Sequence, residues 1–443
     1  MSQTSSPHLT PLAASERIQS LDVIRGIVLF GILLMNTNGY GLYWSYSDPT
    51  NSGGSTGLNL YTWMIANLFF EGTMRALFSL LFGVGMFIFL DRLVKKGAGV
   101  NAADIYFRRL MWLLVFGLIH GYLLLWVGEI LYQYALMGFL VYSFRQMAPK
   151  KIILTAIILS CIGTAWNYFD YKSADKLVEN AALAETYREE GKELTKELKE
   201  AESNYEEILA KGSDEETIDY TKKMNQGYFG VVAHLAPINF EYDTVWPYRQ
   251  DLWDVLSMML IGIALFQWKI LSAEKSMKYY WLMAITGYTI GLAINYYEMK
   301  IILDDNFSFL SFRESEITYY WGRIFVAMGH VAMIMIFCKS NFLNWLKSGL
   351  ASVGKMALTN YMMHSIICMI VFTGVGFGLF NKLERYELLY VVFSIWIFQL
   401  ILSPIWLTYF HYGPMEWLWR NLSYQKIHPI RKELPRRVTN IYR

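Results

Sequence analysis

The chain has 443 residues and a formal net charge of +2; 54% of its residues are hydrophobic, 16% are aromatic and only 17% are charged. Soluble domains carry charge on about a quarter of their residues. This composition therefore argues against a soluble enzyme and favours a protein whose solvent is the lipid bilayer. The cysteines, Cys161, Cys338 and Cys368, lie far apart in apolar stretches and predict neither a disulfide framework nor a metal site.

Ten apolar runs are long enough to cross a bilayer, since a spanning helix needs about 20 apolar residues. They cover residues 22–40, 73–90, 109–127, 129–146, 151–169, 251–268, 279–297, 319–338, 355–376 and 386–408. The sequence therefore predicts an all-α, polytopic transmembrane helical bundle with about ten spanning helices. The shorter apolar segment 60–72 could lie at the interface, re-enter the membrane or extend the second helix.

Lysine and arginine are concentrated in alternate loops, which orients the chain by the positive-inside rule. With ten spans, both termini are predicted to be cytoplasmic. The predicted organisation is an N-terminal membrane half at 1–170, a polar, partly helical extracytoplasmic insertion at 171–250, a C-terminal membrane half at 251–410 and a basic cytoplasmic tail at 411–443.

Residues 171–226 differ in composition from the rest, with 15 acidic and 9 basic side chains. Leu194, Leu198, Ala201, Tyr205 and Ile208 recur at helical spacing, so we expect a helix with charged flanks. This segment could be a solvated spacer that is dispensable for folding, or a cap or docking surface over an outward-facing site.

Ionisable side chains inside spans are costly and often functional. Asp22 and Arg25 are one turn apart on the first helix and can form a pair. Arg25 and Asn36 are eleven residues apart, which places both on one helix face about 16 Å apart. A topology anchor at Arg25 and an interfacial helix end at Asn36 are the simpler alternatives.

Three histidines, His120, His330 and His364, fall well within the predicted spans. Imidazole suits proton transfer near neutral pH, although a hydrogen bond to a neighbouring helix is the simpler role. We take His120 and His330, with Glu129, as catalytic candidates. His364 follows Asn360 by one turn, so both lie on one face.

Glu129 and three further charged residues are predicted to lie toward the outer side. The three are Glu71, Arg75 and Arg323. Acids and bases are equal in number there, which indicates mutual pairing. The set could form a polar vestibule or a structural salt-bridge cluster.

Several motifs resemble those of the YeiB-like bacterial membrane proteins. They are LDVIRG at 21–26 followed by Asn36, LFSLLFGVG at 77–85, GLIH at 117–120, GEIL at 128–131, GKMALTNY at 354–361, and Gly413-Pro414, Glu416-Trp417 and Arg420. The resemblance covers nearly the whole chain except the acidic insertion, and it implies a multi-pass protein of the bacterial cytoplasmic (inner) membrane.

That family looks related to the integral-membrane acyltransferases, which include heparan-α-glucosaminide N-acetyltransferases and bacterial surface-polysaccharide O-acyltransferases. The Arg25-to-Asn36 spacing is similar to theirs, but the polysaccharide enzymes have a catalytic histidine at the Asn36 position. The heparan enzymes have asparagine there and a histidine in the next loop. Here the loop 37–72 contains no histidine.

The resemblance implies transfer of an acyl group from cytoplasmic acyl-CoA to an extracytoplasmic or lipid-linked acceptor, without a metal. The residues expected to bind substrate are Arg25, Asn36, Glu71, Arg75, Arg323, Asn360 and His364. Expected partners are membrane lipids and a small-molecule or glycan acceptor, with a homodimer as an open option and no nucleic acid. The alternative is a transporter or channel for a small metabolite or lipid, whose path the same polar residues would line.

Overall fold

The computed structural model describes residues 18–43, 49–99 and 101–432, so the ends of the predicted N-terminal half and basic tail lie outside the described residues. The described residues form seventeen α-helices. In chain order they are α1 (Gln19–Gly41), α2 (Gly57–Phe69), α3 (Thr73–Lys95), α4 (Asn101–Leu123), α5 (Leu131–Val141), α6 (Pro149–Glu189), α7 (Lys196–Ala210), α8 (Asp214–Met224), α9 (Tyr228–Trp246), α10 (Val255–Gln267), α11 (Met277–Asp304), α12 (Phe309–Ser315), α13 (Tyr319–Lys339), α14 (Asn344–Lys355), α15 (Ala357–Phe372), α16 (Leu388–Tyr409) and α17 (Pro414–Tyr424).

The all-α bundle is confirmed, but fewer helices than ten can cross a membrane on their own. Within the described residues five segments are long and apolar enough: α1, the segment Gly57–Lys95 that contains α2 and α3, α6, α13 and α16. A sixth is the pair α14 and α15, which is bent by 82° at the break between them. This is a membrane protein with several apolar helices.

The difference in count has a physical cause that α10 illustrates. α10 has 13 residues, too few to span a bilayer, and each residue from Val255 to Leu265 is buried inside the protein. An apolar run in the sequence looks the same whether its surroundings are lipid or other helices. The predicted span 251–268 is therefore a short central core helix, and α5, with 11 residues, is also too short for the predicted span 129–146. α4 and α11, at the predicted spans 109–127 and 279–297, have 23 and 28 residues but are also not among the segments apolar enough to cross on their own.

Glycines allow the central helices to touch backbone to backbone. A Cβ atom on Gly26 of α1 would lie 2.1 Å from the carbonyl oxygen of Leu350 on α14, and one on Gly83 of α3 would lie 2.4 Å from that of Met259 on α10. Small residues at such contacts are typical of helix packing in membranes. These contacts fix α1 and α3 in the middle of the bundle.

The polar segment after α6 is partly independent of the bundle and partly packed on it. α7 lies alongside the last part of α6, where Leu198 and Ala201 of the predicted apolar stripe are buried. At the end of α8, however, Met224 belongs to a buried cluster that includes Tyr40 of α1 and Trp126. The segment therefore contributes to the packing around one end of α1.

Candidate active site

A linear arrangement of a carboxylate, an imidazole and a hydroxyl lies at the end of α4. Nδ1 of His120 lies 3.1 Å from Oε1 of Glu129, and Nε2 lies 2.5 Å from Oγ of Ser365 on α15. The hydroxyl of Tyr40 on α1 contacts the same Oγ atom. All three members of the arrangement are buried, with exposed fractions of 0% for His120 and Ser365 and 2% for Glu129.

The chain turns back on itself to bring Glu129 to His120. α4 ends at Leu123, and the following residues include Leu125 and Gly128 at φ values of 59° and 95°. On a straight helix, nine residues would place the two side chains on opposite faces. The turn instead returns Glu129 to the helix end that carries His120.

The carboxylate of Glu129 also fixes the proton of the imidazole. It accepts hydrogen bonds from the backbone N–H groups of Leu131 and Tyr132, each at 2.8 Å, at the start of α5. A carboxylate so placed acts as an acceptor, so Nδ1 of His120 must carry the proton. Nε2 is then the acceptor that faces the hydroxyl of Ser365.

Ser365 was not among the residues that the sequence singled out. A serine within an apolar helix usually forms a hydrogen bond to its own backbone or to a neighbouring helix. Its relation to His120 is set by α15, whose Tyr361 ring lies 4.7 Å from the imidazole. The one local sign in the sequence was its position directly after His364.

The charged residues that are predicted to lie toward the outer side form, with the exception of Glu129, a separate cluster of ion pairs. Arg323 of α13 contacts Glu298 of α11, and its other terminal nitrogen lies 2.5 Å from Glu71. Arg75 lies 2.5 Å from Asp254, and its guanidinium also donates to the hydroxyl of Tyr319 at 3.2 Å. The hydroxyl of Tyr319 also donates to Glu71 at 3.4 Å and so joins the two pairs. Of the predicted mutual pairing only Glu71 with Arg323 is formed, since Arg75 pairs with Asp254 and Glu129 lies with His120.

His330 lies apart from His120 and has both ring nitrogens in hydrogen bonds. Nδ1 lies 2.7 Å from the hydroxyl of Tyr288, and Nε2 lies 2.9 Å from the backbone carbonyl of Phe69. Because the carbonyl can only accept, Nε2 donates and Nδ1 accepts. This geometry links α13 to α11 and to the end of α2.

Asn360 and His364 form a polar contact between α15 and α16. Nδ2 of Asn360 donates to the hydroxyl of Ser403 at 3.1 Å, and Nε2 of His364 lies 3.0 Å from Oε1 of Gln399. His364 precedes Ser365 in the chain, so this contact fixes the helix that carries the hydroxyl.

The two substrate-binding candidates on α1 lie at different levels of the bundle. The predicted pair of Arg25 and Asp22 is confirmed, with 2.9 Å between the charged atoms. Asn36 is half-buried one helical turn before Tyr40. Within the described ranges, no group of three or more His, Cys, Asp or Glu side chains could hold a metal ion.

α9, from the polar segment, packs onto the end of α4 beside this site. Nδ2 of Asn239 donates to the carbonyl of Gly121 at 2.9 Å, next to His120. Asp243 is buried on the same helix, and burial, followed by the charge of Glu129, raises its pKa to about 6. The polar segment therefore covers the site on one side, and a cap was one of the roles that its sequence left open.

Comparison with known proteins agrees with the motifs. The family model described as a protein of unknown function (DUF418) matches residues 265–426, which include Ser365. The uncharacterised protein YxaH of Bacillus subtilis is 29% identical over 441 residues, covering 96% of this chain and 98% of YxaH. The uncharacterised protein YeiB of Escherichia coli is 28% identical over 419 residues, covering 94% of this chain and 98% of YeiB.

No solved structure matches the chain. The similarity to YeiB and YxaH extends over nearly the full length of each protein, and the matched family model contains the predicted motif at 354–361. The resemblance to the YeiB-like proteins that the motifs predicted is therefore confirmed over nearly the whole chain.

Proposed function

We propose that this protein is an acyltransferase of the bacterial inner membrane, with both termini in the cytoplasm. It would move an acyl group from cytoplasmic acyl-CoA to an extracytoplasmic or lipid-linked acceptor. The observation that carries the proposal is the line of hydrogen bonds from Glu129 through His120 to Ser365. Unrelated acyl-transfer enzymes use this order of groups to activate a serine.

Each member of the line has a defined part in the proposed reaction. Ser365 Oγ attacks the thioester carbonyl carbon, and its proton passes to Nε2 of His120. As the C–O bond forms and the C–S bond breaks, His120 returns that proton to the leaving thiolate. Glu129 holds Nδ1–H and stabilises the imidazolium that forms in between.

The second half of the reaction reverses these roles. An acceptor hydroxyl gives its proton to His120 and attacks the acyl ester on Ser365, whose oxygen then recovers the proton. The hydroxyl of Tyr40 contacts Ser365 Oγ and is thereby placed to orient it. Because the site is buried, substrate entry requires neighbouring side chains to move, and closure excludes water that would hydrolyse the ester.

The buried ion-pair cluster favours transport as the second candidate function. Charged residues within spanning helices often line a path for a solute or an ion. Arg323, Glu71 and Glu298 are paired with each other in this structure, so a transport cycle would have to exchange those partners. A transporter needs no serine nucleophile, and this difference makes the two candidates separable.

The test uses the purified full-length protein and acetyl-CoA. We expect release of free thiol and an acetyl group on Ser365, detected by mass spectrometry. Ser365→Ala and His120→Gln should abolish both signals while changing thermal stability by only a few degrees, because a hydrogen bond in a membrane protein contributes about 1 kcal/mol.

Ser160→Ala is the matched control. Ser160 is also buried in a helix, and its hydroxyl has no hydrogen-bond partner in the described part of the chain. This variant should turn over like the wild type. Near-normal turnover in Ser365→Ala or His120→Gln would refute the proposed mechanism.

A further inference from the structure

Arg109 has an unusual environment near the start of α4. Its guanidinium lies 3.4 Å from the centre of the Trp419 ring on α17 and 4.8 Å from that of Phe89 on α3. Nε1 of Trp419 also donates to the backbone carbonyl of Arg109 at 2.8 Å. Two aromatic rings and a backbone hydrogen bond therefore hold this arginine in one place.

No carboxylate of the described residues forms a salt bridge with Arg109, and its buried Nε atom has no hydrogen-bond partner among them. Glu416 lies on the same helix as Trp419 but accepts from the N–H groups of Leu358 and Thr359, at 2.7 and 3.1 Å. Its other oxygen accepts from the hydroxyl of Thr359 at 2.6 Å, so both oxygens of that carboxylate are used at the start of α15.

Two further cations increase the positive charge around Arg109. Arg420 and Arg25 both lie near enough to repel its guanidinium electrostatically, while Tyr424 and Glu416 partly offset that repulsion. Arg25 is paired with Asp22. Arg109 itself has no salt-bridge partner among the described residues, in a partly buried position where an uncompensated cation is costly.

An anionic group would relieve that cost. A guanidinium is planar, and its edge can donate two parallel hydrogen bonds to a phosphate while aromatic rings cover its face. We infer that Arg109, with Arg420 and Arg25 beside it, forms a phosphate-binding site at the predicted cytoplasmic end of the bundle.

The distance from this phosphate site to His120 indicates how an acyl donor would be held. This use of the site rests on the proposed function. Arg109 and His120 are eleven residues apart on the continuous helix α4, so they lie on one face about 16 Å apart. A donor with a phosphate at one end and a thioester at the end of a flexible arm would reach both. The phosphate could belong to such an acyl-CoA or to the headgroup of an anionic phospholipid.

The experiment measures binding rather than turnover. Full-length protein in neutral detergent is titrated by calorimetry with coenzyme A and, separately, with a short-chain phosphatidylglycerol. Arg109→Gln should weaken binding of one of these ligands by about tenfold or more, since it removes a charged, bidentate contact. Arg109→Lys keeps the charge but not the planar edge, so it should weaken ligand binding by an intermediate amount. This variant tests the inference even if Arg109→Gln does not fold.

Arg145→Gln is the matched control, because Arg145 is also half-buried and lies 4.1 Å from the centre of an aromatic ring, that of Tyr142. Its binding should equal that of the wild type. Loss confined to coenzyme A identifies the donor phosphate, and loss confined to phosphatidylglycerol identifies a lipid headgroup. Equal affinities in Arg109→Gln and the wild type, or no binding of either ligand by the wild type, would overturn the inference.

Ser365→Ala separates this inference from the proposed function. It leaves Arg109 unchanged and should bind coenzyme A as the wild type does. A wild-type protein that binds coenzyme A through Arg109 but never forms an acylated Ser365 would refute the acyl transfer and leave the phosphate site standing.

Discussion

At the scale of single residues, Glu129 combines two roles in one carboxylate. It accepts from two N–H groups at the start of α5 and holds Nδ1 of His120. Glu129→Gln leaves one acceptor oxygen and introduces an NH₂ group that cannot accept the imidazole proton. We expect acetyl-CoA turnover to fall by about a thousandfold, because the tautomer of His120 is no longer fixed.

The stability cost of that change is measured separately with Glu416→Gln. Glu416 contacts the start of α15 much as Glu129 contacts the start of α5, but no histidine of the described residues is its partner. Both variants should lose similar thermal stability, on the order of 1–3 kcal/mol for a partly unsatisfied buried group. If Glu129→Gln keeps wild-type turnover, the carboxylate acts only on the backbone of α5.

At the scale of helices, the polar segment divides into a part that packs on α6 and a part that packs on the bundle. Leu198 and Met224 are almost equally buried, at 6% and 5% exposed, but only Met224 belongs to the cluster around Tyr40. Met224→Asp should destabilise the protein by about 2–5 kcal/mol, since it places a charge where an apolar side chain was packed.

Leu198→Asp is the companion variant and should act locally. It should release α7 from α6, which limited proteolysis within 190–212 would detect, while the melting temperature of the bundle stays near that of the wild type. If Leu198→Asp lowers that melting temperature as much as Met224→Asp, the whole segment folds as one unit with the bundle.

At the scale of the whole molecule, the contacts assign residues to two ends of the bundle. Arg108 and Arg109, both predicted to be cytoplasmic, contact Ser423 and Trp419 of α17. At the opposite end of the bundle, Tyr40 near the C-terminal end of α1 clusters with Trp126, Met224 and Phe380. The predicted sidedness is therefore internally consistent, and its direction relative to the cell remains a prediction.

Cysteine labelling of intact cells tests that direction. In a protein without its three native cysteines, Ser213→Cys lies at an exposed site predicted to be outside, and Asn341→Cys lies at an exposed loop site predicted to be cytoplasmic. A membrane-impermeant thiol reagent should label the first in intact cells and the second only after lysis. The opposite pattern would invert the topology.

The sequence by itself determined the fold class, the resemblance to the YeiB-like proteins and several local features. Apolar composition and helical periodicity require helices in an apolar surrounding, because a bilayer leaves few other ways to satisfy the backbone. Spacing within one helix was also sufficient for the Asp22–Arg25 pair, since one turn separates the two residues. The pair of Glu71 with Arg323 followed from the cost of leaving such charges unpaired, whereas the other two partners, Glu298 and Asp254, were not singled out.

Only the tertiary structure decided which helices span and which residues meet. Local sequence does not distinguish lipid from protein as the neighbour of an apolar run, so α10 looked like a span until its burial was known. Glu129 reaches His120 through a turn after α4, and Ser365 reaches it from a helix 245 positions along the chain. Such contacts depend on how distant segments pack, and no periodicity within one helix encodes them.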